Sequence, residues 1–232
     1  MRRRHFVGTV GLALSFGLLA GCASQSSDQT PQERLVSQSE SAARSMLESP
    51  DFTVLPLYLQ RAHAVVIFPN LIRGGFVIAG EGGEGVLVAR RQDGSWGYPA
   101  FYNMISGSLG LQIGGQLSSM IIAVMTEDGL NAIMDSQFTF GADANVAIVT
   151  VGAGVDARTG LNQNADMYAF SRNRGLFVGG ALEGSVLQPV ESANRAYYGP
   201  AASTYQIVQG NLFNPQANGL RAVLPPQEVA VR

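Results

Sequence analysis

Few residues in this chain of 232 have the type and spacing that chemistry needs. There is one cysteine, Cys22, and of the two histidines only His63 lies beyond the amino-terminal region. A serine hydrolase needs a histidine beside a serine and a carboxylate, but the sequence has no Gly-x-Ser-x-Gly elbow to present the serine. Zinc would need more nitrogen or sulfur ligands than these two residues supply. We therefore predict no catalytic residue and no metal site, with a hydrolase of unrecognised site as the weaker alternative.

A glycine series raises the question of a nucleotide cofactor. Residues 80–85 read Gly-Glu-Gly-Gly-Glu-Gly and fit the dinucleotide fingerprint GxGxxG. That fingerprint works only when a helix follows, because the helix amino terminus holds the pyrophosphate. Residues 86–90 instead have the apolar pattern of a strand, and Glu81 and Glu84 would repel phosphate. We therefore predict no cofactor, and we interpret residues 81–84 as the turn of a β-hairpin.

The sole cysteine has a distinctive setting. Three arginines at positions 2–4 precede an apolar run over residues 6–20, and Ala20 and Gly21 come directly before Cys22. A basic start, a short apolar run and a small-residue cleavage site are typical of a signal peptide. The stretch Leu19-Ala20-Gly21-Cys22 also resembles the lipobox of bacterial lipoproteins, which implies cleavage before Cys22 and acylation of that residue. The alternatives are an ordinary secretory signal or a membrane anchor that is retained.

Composition limits the partners of the mature chain. Without residues 1–21 it has 12 arginines, no lysine and 17 acidic residues, a net charge of about −5. An acidic domain with no basic run is poorly suited to nucleic acid. Ala23, directly after Cys22, is not the aspartate that resembles an inner-membrane retention signal. We therefore expect a lipid-anchored protein of the bacterial cell envelope, on the outer membrane and facing the periplasm.

The remaining chain predicts one domain. Thr30, Pro31 and Glu33 fit a capping box at the start of a helix that ends near Ser49-Pro50. Residues 74–115 contain 12 glycines, a density that disfavours helix and favours strands. Further helices are expected at 51–61, 127–135, 191–198 and 203–209. We predict a signal peptide (1–21), a flexible tether (22–29), one domain (30–212) and a loose tail (213–232).

The strand pattern completes the fold prediction. Apolar residues at 64–68 and 167–171 predict strands, and the runs at 119–125 and 145–151 are apolar on both faces, as suits strands buried on both sides. Shorter candidates lie at 75–79, 86–91, 176–178 and 181–187. The sequence therefore predicts an α+β fold: a largely antiparallel, glycine-rich β-sheet, sandwich or barrel-like, with helices at its amino-terminal and carboxy-terminal ends.

Several motifs in this order resemble the SYLF family of lipid-binding domains. They are residues 64–69, 74–76, 85–87, 93–96 with 99–100, 110–114, 171–177, 183–184, and Asn194 with 197–199. The resemblance implies an α+β domain with affinity for membrane lipid, namely phosphoinositides in eukaryotic members, some of which also bind actin. Those members rely on lysines and a basic amphipathic amino-terminal segment, which this chain lacks. The resemblance therefore implies lipid binding as a class, and we do not extend actin binding to this chain.

Arginines near glycine turns are the candidate contacts for anionic phospholipid headgroups. Arg172 and Arg174 are two apart and would share one face of a strand, and Arg73 holds the matching place in a similar Arg-Gly-x-Phe-Val segment. Arginine's planar fork suits phosphate. The alternative is that these are solvated turn residues paired with acids.

Two aromatic residues are candidates for a lipid-facing groove. Trp96 and Tyr98 follow the glycine-rich strands, and the alternative is that both rings pack in the core. The expected function is thus a non-enzymatic lipid-binding module. Its rival is a structural module that binds another envelope protein.

Overall fold

A computed structural model describes residues 29–74, 79–108, 116–135, 137–149, 165–172, 182 and 184–228. Within these residues eight strands form one sheet in the order β5-β8-β3-β2-β1-β4-β7-β6. Every pairing is antiparallel except β6 with β7, which is parallel. Helices precede and follow the strands, so the predicted α+β class with a largely antiparallel sheet is confirmed.

The strands are β1 Ala64–Gly74, β2 Ala79–Ala89, β3 Ala100–Ser108, β4 Gln116–Val124, β5 Phe138–Thr139, β6 Val146–Val149, β7 Met167–Ser171 and β8 Val186–Pro189. The helices are α1 Pro31–Leu47, α2 Leu55–Arg61, α3 Glu127–Met134, α4 Glu191–Tyr198, α5 Thr204–Val208 and α6 Asn218–Val223. Short 3₁₀ turns lie at Pro50–Phe52 and Pro215–Ala217. Among the described residues, no helix is both long and apolar enough to cross a membrane.

Both faces of the sheet are buried. Alternate residues of β1 enter two separate core clusters, Val65 and Ile67 in one and Val66 and Phe68 in the other. The first cluster also holds side chains of α1, α2 and α6, and the second holds side chains of α3 and α5. Side chains of a strand alternate between faces, so an apolar run without polar alternation needs cover on both sides. Strand β4, which was predicted to be buried on both faces, has this setting, with Ile121 and Ala123 in the first cluster and Ile122 and Val124 in the second.

Helix α1 begins as its sequence predicts. Glu33 donates its backbone N–H to Thr30 Oγ1 (3.2 Å), and the Glu33 carboxylate accepts from the Thr30 backbone N–H (2.8 Å). This reciprocal pair is the capping box, with Pro31 at the first helical position. The helix buries Val36, Ala43 and Met46 against the sheet.

The predicted hairpin turn at residues 81–84 is wrong, because these residues lie inside strand β2. Strand β1 shifts register between Ile67 and Ile72, and this bulge brings its backbone close to β2. A Cβ on Gly83 would lie 2.5 Å from the Asn70 carbonyl oxygen, and one on Gly85 would lie 2.5 Å from the Phe68 ring. The glycines therefore permit close strand packing, a role that a local turn pattern does not distinguish from a reversal of the chain.

The predicted loose tail is also wrong for residues 215–224. The turn Pro215–Ala217 and helix α6 pack on α1, and Ala217, Leu220 and Leu224 are buried. Their apolar side chains are too sparse along the sequence to predict an element, but all three join the core cluster that holds residues of α1 and the sheet.

Candidate functional site

The two ends of the central strands differ in chemistry. Strands β1 and β2 are antiparallel, so the end of β1 pairs with the start of β2, where glycines are dense. We call this the glycine-rich end. At the other end Ala64 pairs with Ala89, next to His63, Arg90 and Arg91. We call this the cationic end. The predicted site residues that the structure describes, and the observed cavity, lie at these two ends.

An apolar row crosses the sheet at the glycine-rich end. Ile72 of β1 pairs with Gly82 of β2, which pairs with Ile105 of β3. Residues paired across strands point to the same face. Ile72 is 60% exposed and Ile105 is 58% exposed, whereas most large apolar side chains of the sheet are buried. These three residues, which we call the apolar row, form a surface that water solvates poorly.

Helix α1 lies beside the apolar row on the same face. The Asn70 side-chain amide donates to Gln38 of α1 (3.3 Å), two residues before Ile72 in β1. A small cleft joins Gln32 and Leu35 of α1 to Asn103 of β3, two residues before Ile105. The helix therefore crosses the strands one step inward of the apolar row.

The predicted headgroup arginines fall on or near the glycine-rich end where the structure describes them. The backbone of Arg73 pairs with Glu81 and Gln116 on the neighbouring strands. Arg172 is exposed and follows β7, and its Nη2 donates to Ser45 O (3.1 Å) and Ser45 Oγ (2.7 Å). Ser45 lies in the last turn of α1, where a cation also interacts favourably with the helix dipole. Arg172 thus contacts α1.

Two further predicted residues, Arg174 and Cys22, lie outside the described residues. The headgroup role of the three arginines therefore stays a prediction, as does the acylation of Cys22.

Trp96 and Tyr98 pack in the core, which was the alternative to the predicted lipid-facing groove. Trp96 Nε1 donates to Pro225 O (2.7 Å), and the guanidinium of Arg90 lies 3.9 Å from the Trp96 ring centroid. Tyr98 is covered in the same way, with the guanidinium of Arg221 4.2 Å from its ring centroid. Both side chains are about 95% buried, so they stack on arginine beneath the carboxy-terminal segment instead of facing an open groove.

A cavity of about 310 Å³ opens at the cationic end. It lies between the end of α2, the junctions of β1 and β2, and helix α3. Its lining residues are Arg61, Ala62, His63, Arg90, Arg91, Gln92, Glu127, Leu130, Asn131, Met134, Val208, Gln209 and Gln227. His63 and the Glu127 carboxylate thus share a cavity, but none of these lining residues is a serine, threonine or cysteine. The cavity lining lacks the serine that the hydrolase alternative would need beside its histidine and carboxylate.

Two adjacent arginines give the cavity wall its charge. Arg90 donates to four backbone carbonyl oxygens: from Nε to Ala62 (3.0 Å), from Nη1 to Gly94 (2.8 Å), and from Nη2 to Leu59 (2.7 Å) and Pro225 (3.2 Å). Burial disfavours its charged form and lowers the pKa of Arg90 to about 10. Arg91 donates from Nη2 to Gly210 O (3.3 Å), and its Nε is buried with no hydrogen-bond partner within the residues that the structure describes.

Sequence reasoning missed this cavity. Its only local signal is the Arg90-Arg91 pair directly after an apolar strand, whereas the other lining residues come from four distant segments. Among the described residues, no group of His, Cys, Asp or Glu has the geometry of a metal site.

Comparison with known proteins gives a family. A family model described as "Ysc84: Las17-binding protein actin regulator" matches residues 105–226, just over half of the chain. "LAS seventeen-binding protein 3" of Saccharomyces cerevisiae is 29% identical over 170 residues, which cover 72% of this chain and 37% of that protein. "SH3 domain-containing YSC84-like protein 1" is 28% identical over 191 residues in Xenopus laevis (78% of this chain, 57% of the relative) and over 200 residues in Homo sapiens (82% and 58%). The chain thus spans between about two fifths and three fifths of the length of these relatives.

Proposed function

The chain belongs to the Ysc84 family, and from that premise we propose that it is a non-enzymatic lipid-binding protein of the bacterial envelope. Acylated Cys22 holds it at the outer membrane, and the domain contacts the anionic phospholipid surface beside its anchor. The observation that carries this proposal is the exposed apolar row at the glycine-rich end.

The apolar row suits contact with a bilayer. Full burial of an isoleucine side chain contributes about 1.5–3 kcal/mol relative to exposure in water. Ile72 and Ile105 are each more than half exposed and lie on one face, so both side chains could enter the membrane interface together. Arg73 is next to Ile72 in sequence, and the guanidinium of an arginine suits phosphate groups. Apolar insertion with nearby cations is a recognised mode of peripheral binding.

The length of the predicted tether agrees with this orientation. Residues 22–29 are eight residues, which span at most about 28 Å when fully extended. Helix α1 begins at Pro31 and crosses the sheet beside the apolar row. A domain tied so closely to its anchor has a high local concentration of lipid, and a weak contact is then sufficient.

The test is vesicle sedimentation of the predicted mature chain, residues 22–232, carrying Cys22→Ser, which removes the apolar signal peptide together with the acyl anchor. Ile72→Ser with Ile105→Ser should lower the fraction bound to phosphatidylglycerol vesicles at least tenfold. Leu57→Ser with Tyr205→Ser is the matched control, since both residues are exposed and lie on other surfaces. Arg172→Ala should reduce binding further at low salt and not at 1 M salt. Equal binding by the row and control variants would overturn the proposed contact surface.

Anchoring has its own measurement. Palmitate labelling of cells should mark the natural chain and fail with Cys22→Ser, and equal labelling of the two would refute acylation at that residue.

A second candidate function rests on the names of the relatives. One is named for binding Las17 and another for an SH3 domain, so these proteins are named for a protein partner or an interaction module. An envelope protein would then cover the apolar row. Lipid extraction of the purified chain with Cys22→Ser distinguishes the two, because only a lipid-binding domain should co-purify with phospholipid.

A further inference from the structure

The cavity at the cationic end lies far from the surface that the proposed function assigns to the membrane. His63 directly precedes β1 and Ile72 lies nine residues further along, which is at most about 30 Å at the rise of an extended strand. A chain oriented with the apolar row on lipid would direct this cavity toward the aqueous compartment. The cavity is therefore a separate site, and the kind of ligand that it binds follows from its own lining residues.

The lining carries an excess of positive charge. Three arginines, Arg61, Arg90 and Arg91, face one acid, Glu127, which leaves a formal charge of +2 with His63 neutral. This excess stands out because the mature chain as a whole is acidic. Side-chain amides of Gln92, Asn131, Gln209 and Gln227 complete the polar wall. Amides both donate and accept hydrogen bonds, so they suit hydroxyl groups on a ligand.

These guanidinium groups have no ion-pair partner among the described residues, where the only salt bridge joins Arg44 to Glu40. Arg90 is half-buried and donates only to backbone carbonyls. Asp93 interacts electrostatically with Arg91, but it is exposed and accepts from the backbone and hydroxyl of Ser95. The Nε of Arg91 is buried and has no hydrogen-bond partner among the described residues. A buried cationic donor is normally paired, so the folded chain leaves a place for a counter-charge beside Arg91.

We propose that this cavity binds a small soluble phosphate monoester, with Arg61 and Arg91 nearest the phosphate. A phosphate monoester carries about −1.5 to −2 charges at pH 7 and three strong acceptor oxygens, which complement a +2 lining. The cavity volume is at the lower bound for small-molecule pockets, so the ligand is the size of a triose or hexose phosphate. Arg90 positions the wall and is held too fully by carbonyl oxygens to serve as the main contact.

Calorimetric titration of the full chain with glycerol 3-phosphate tests the proposal. Binding should be saturable and one to one, and glycerol alone should give no heat. Arg61→Gln should weaken binding about tenfold, because it removes a cation that is exposed at the mouth of the cavity. Arg195→Gln is the matched control, since it removes one exposed positive charge on α4, away from the cavity, and should leave the affinity unchanged.

A second variant changes the affinity in the opposite direction. Glu127→Gln removes the one acid of the lining and should tighten glycerol 3-phosphate binding about threefold to tenfold. A misfolded protein cannot bind glycerol 3-phosphate more tightly. Higher affinity in this variant therefore distinguishes a ligand-binding site from a cluster of residues that only stabilises the fold.

The source of the phosphate is distinguished by vesicles. Phosphatidic acid presents the same phosphate monoester on a lipid, and its vesicles should neither compete with glycerol 3-phosphate nor lose binding in Arg61→Gln. Competition by phosphatidic acid would assign the cavity to a lipid headgroup and overturn the soluble ligand. Tighter binding of succinate than of glycerol 3-phosphate would overturn the phosphate assignment. An affinity insensitive to both Arg61→Gln and Glu127→Gln would refute the site, whatever happens to the apolar row.

Discussion

At the scale of single residues, arginine has a structural role in this chain that lysine could not fill. Arg90 and Arg221 each stack on an aromatic ring and donate in several directions to oxygen atoms. Arg221 reaches Trp96 O from Nε (2.8 Å), so both guanidinium groups join the carboxy-terminal segment to the residues after β2. A planar fork with five donors can stack and donate together, whereas an ammonium group cannot. The absence of lysine from the sequence therefore matches the way this chain uses its cations.

Tyr197 and Tyr198 make a matched pair for a stability prediction. The Tyr197 hydroxyl is buried and has no hydrogen-bond partner in the described part of the chain, whereas the Tyr198 hydroxyl donates to Pro99 O (2.7 Å). Tyr197→Phe removes an unpaired polar atom and should leave the free energy of unfolding unchanged or raise it by up to about 1 kcal/mol. Tyr198→Phe leaves a carbonyl unpaired and should lower it by about 1–3 kcal/mol. Urea unfolding at pH 7 measures both, and an equal loss in the two variants would contradict the assignment.

The same hydroxyl predicts a pH dependence. Burial raises the pKa of Tyr197 to about 12 from its ordinary value of 10. The folded chain then keeps this proton when the unfolded chain has lost it, so stability should be complete below pH 10 and fall between pH 10 and 12. Tyr197→Phe should make that fall less steep, which urea midpoints at pH 8 and pH 11 would show.

At the scale of elements, the glycines of β2 are the most specific feature. Gly85→Ala would place a Cβ within 2.6 Å of both the Phe68 ring and the Ile67 carbonyl oxygen, so it should destabilise the chain by about 1–3 kcal/mol or more. Gly82→Ala is the control. The new Cβ would lie 3.2 Å from its nearest neighbour, the Met104 carbonyl oxygen, so the loss of stability should be clearly smaller. Thermal unfolding of the two variants gives the comparison. Similar melting temperatures would mean that β1 and β2 do not pack as closely as described.

How far an element can be predicted depends on whether its cause is local. The capping box of α1 needs only Thr30, Pro31 and Glu33, and a pattern of four residues predicted it correctly. Residues 81–84 of strand β2 were wrongly predicted as a turn, because their glycines accommodate a bulge in the neighbouring strand β1, which a local pattern does not show. The cationic cavity joins segments near residues 61, 91, 127 and 208, and no short pattern contains all of them. Family resemblance predicted the fold class but not this cavity.

At the scale of the whole molecule, the carboxy-terminal segment closes the core that α1 and the sheet form. A chain ending after Phe213 would lack Leu220 and Leu224, which are buried, and would expose the core surface that they cover. Each contributes about 1.5–3 kcal/mol by burial, so the shortened chain should lose at least about 3 kcal/mol of stability or fail to fold. A chain ending after Glu228 is the control and should unfold like the full chain. Circular dichroism melting of both distinguishes a packed segment from the loose tail that the sequence predicted.

Trp96 and Arg90 both donate hydrogen bonds to the main-chain carbonyl oxygen of Pro225. Every amino acid at this position would supply the same oxygen. Evolution can therefore replace the residue at this position without loss, provided that the number of residues leading to it stays constant. Conservation scores would rate the position as unimportant, and substitution scanning would pass over it. Insertion or deletion of one residue between α6 and Pro225 would move this oxygen away from Trp96 and Arg90. Gaps in an alignment of relatives therefore carry more information here than residue identities.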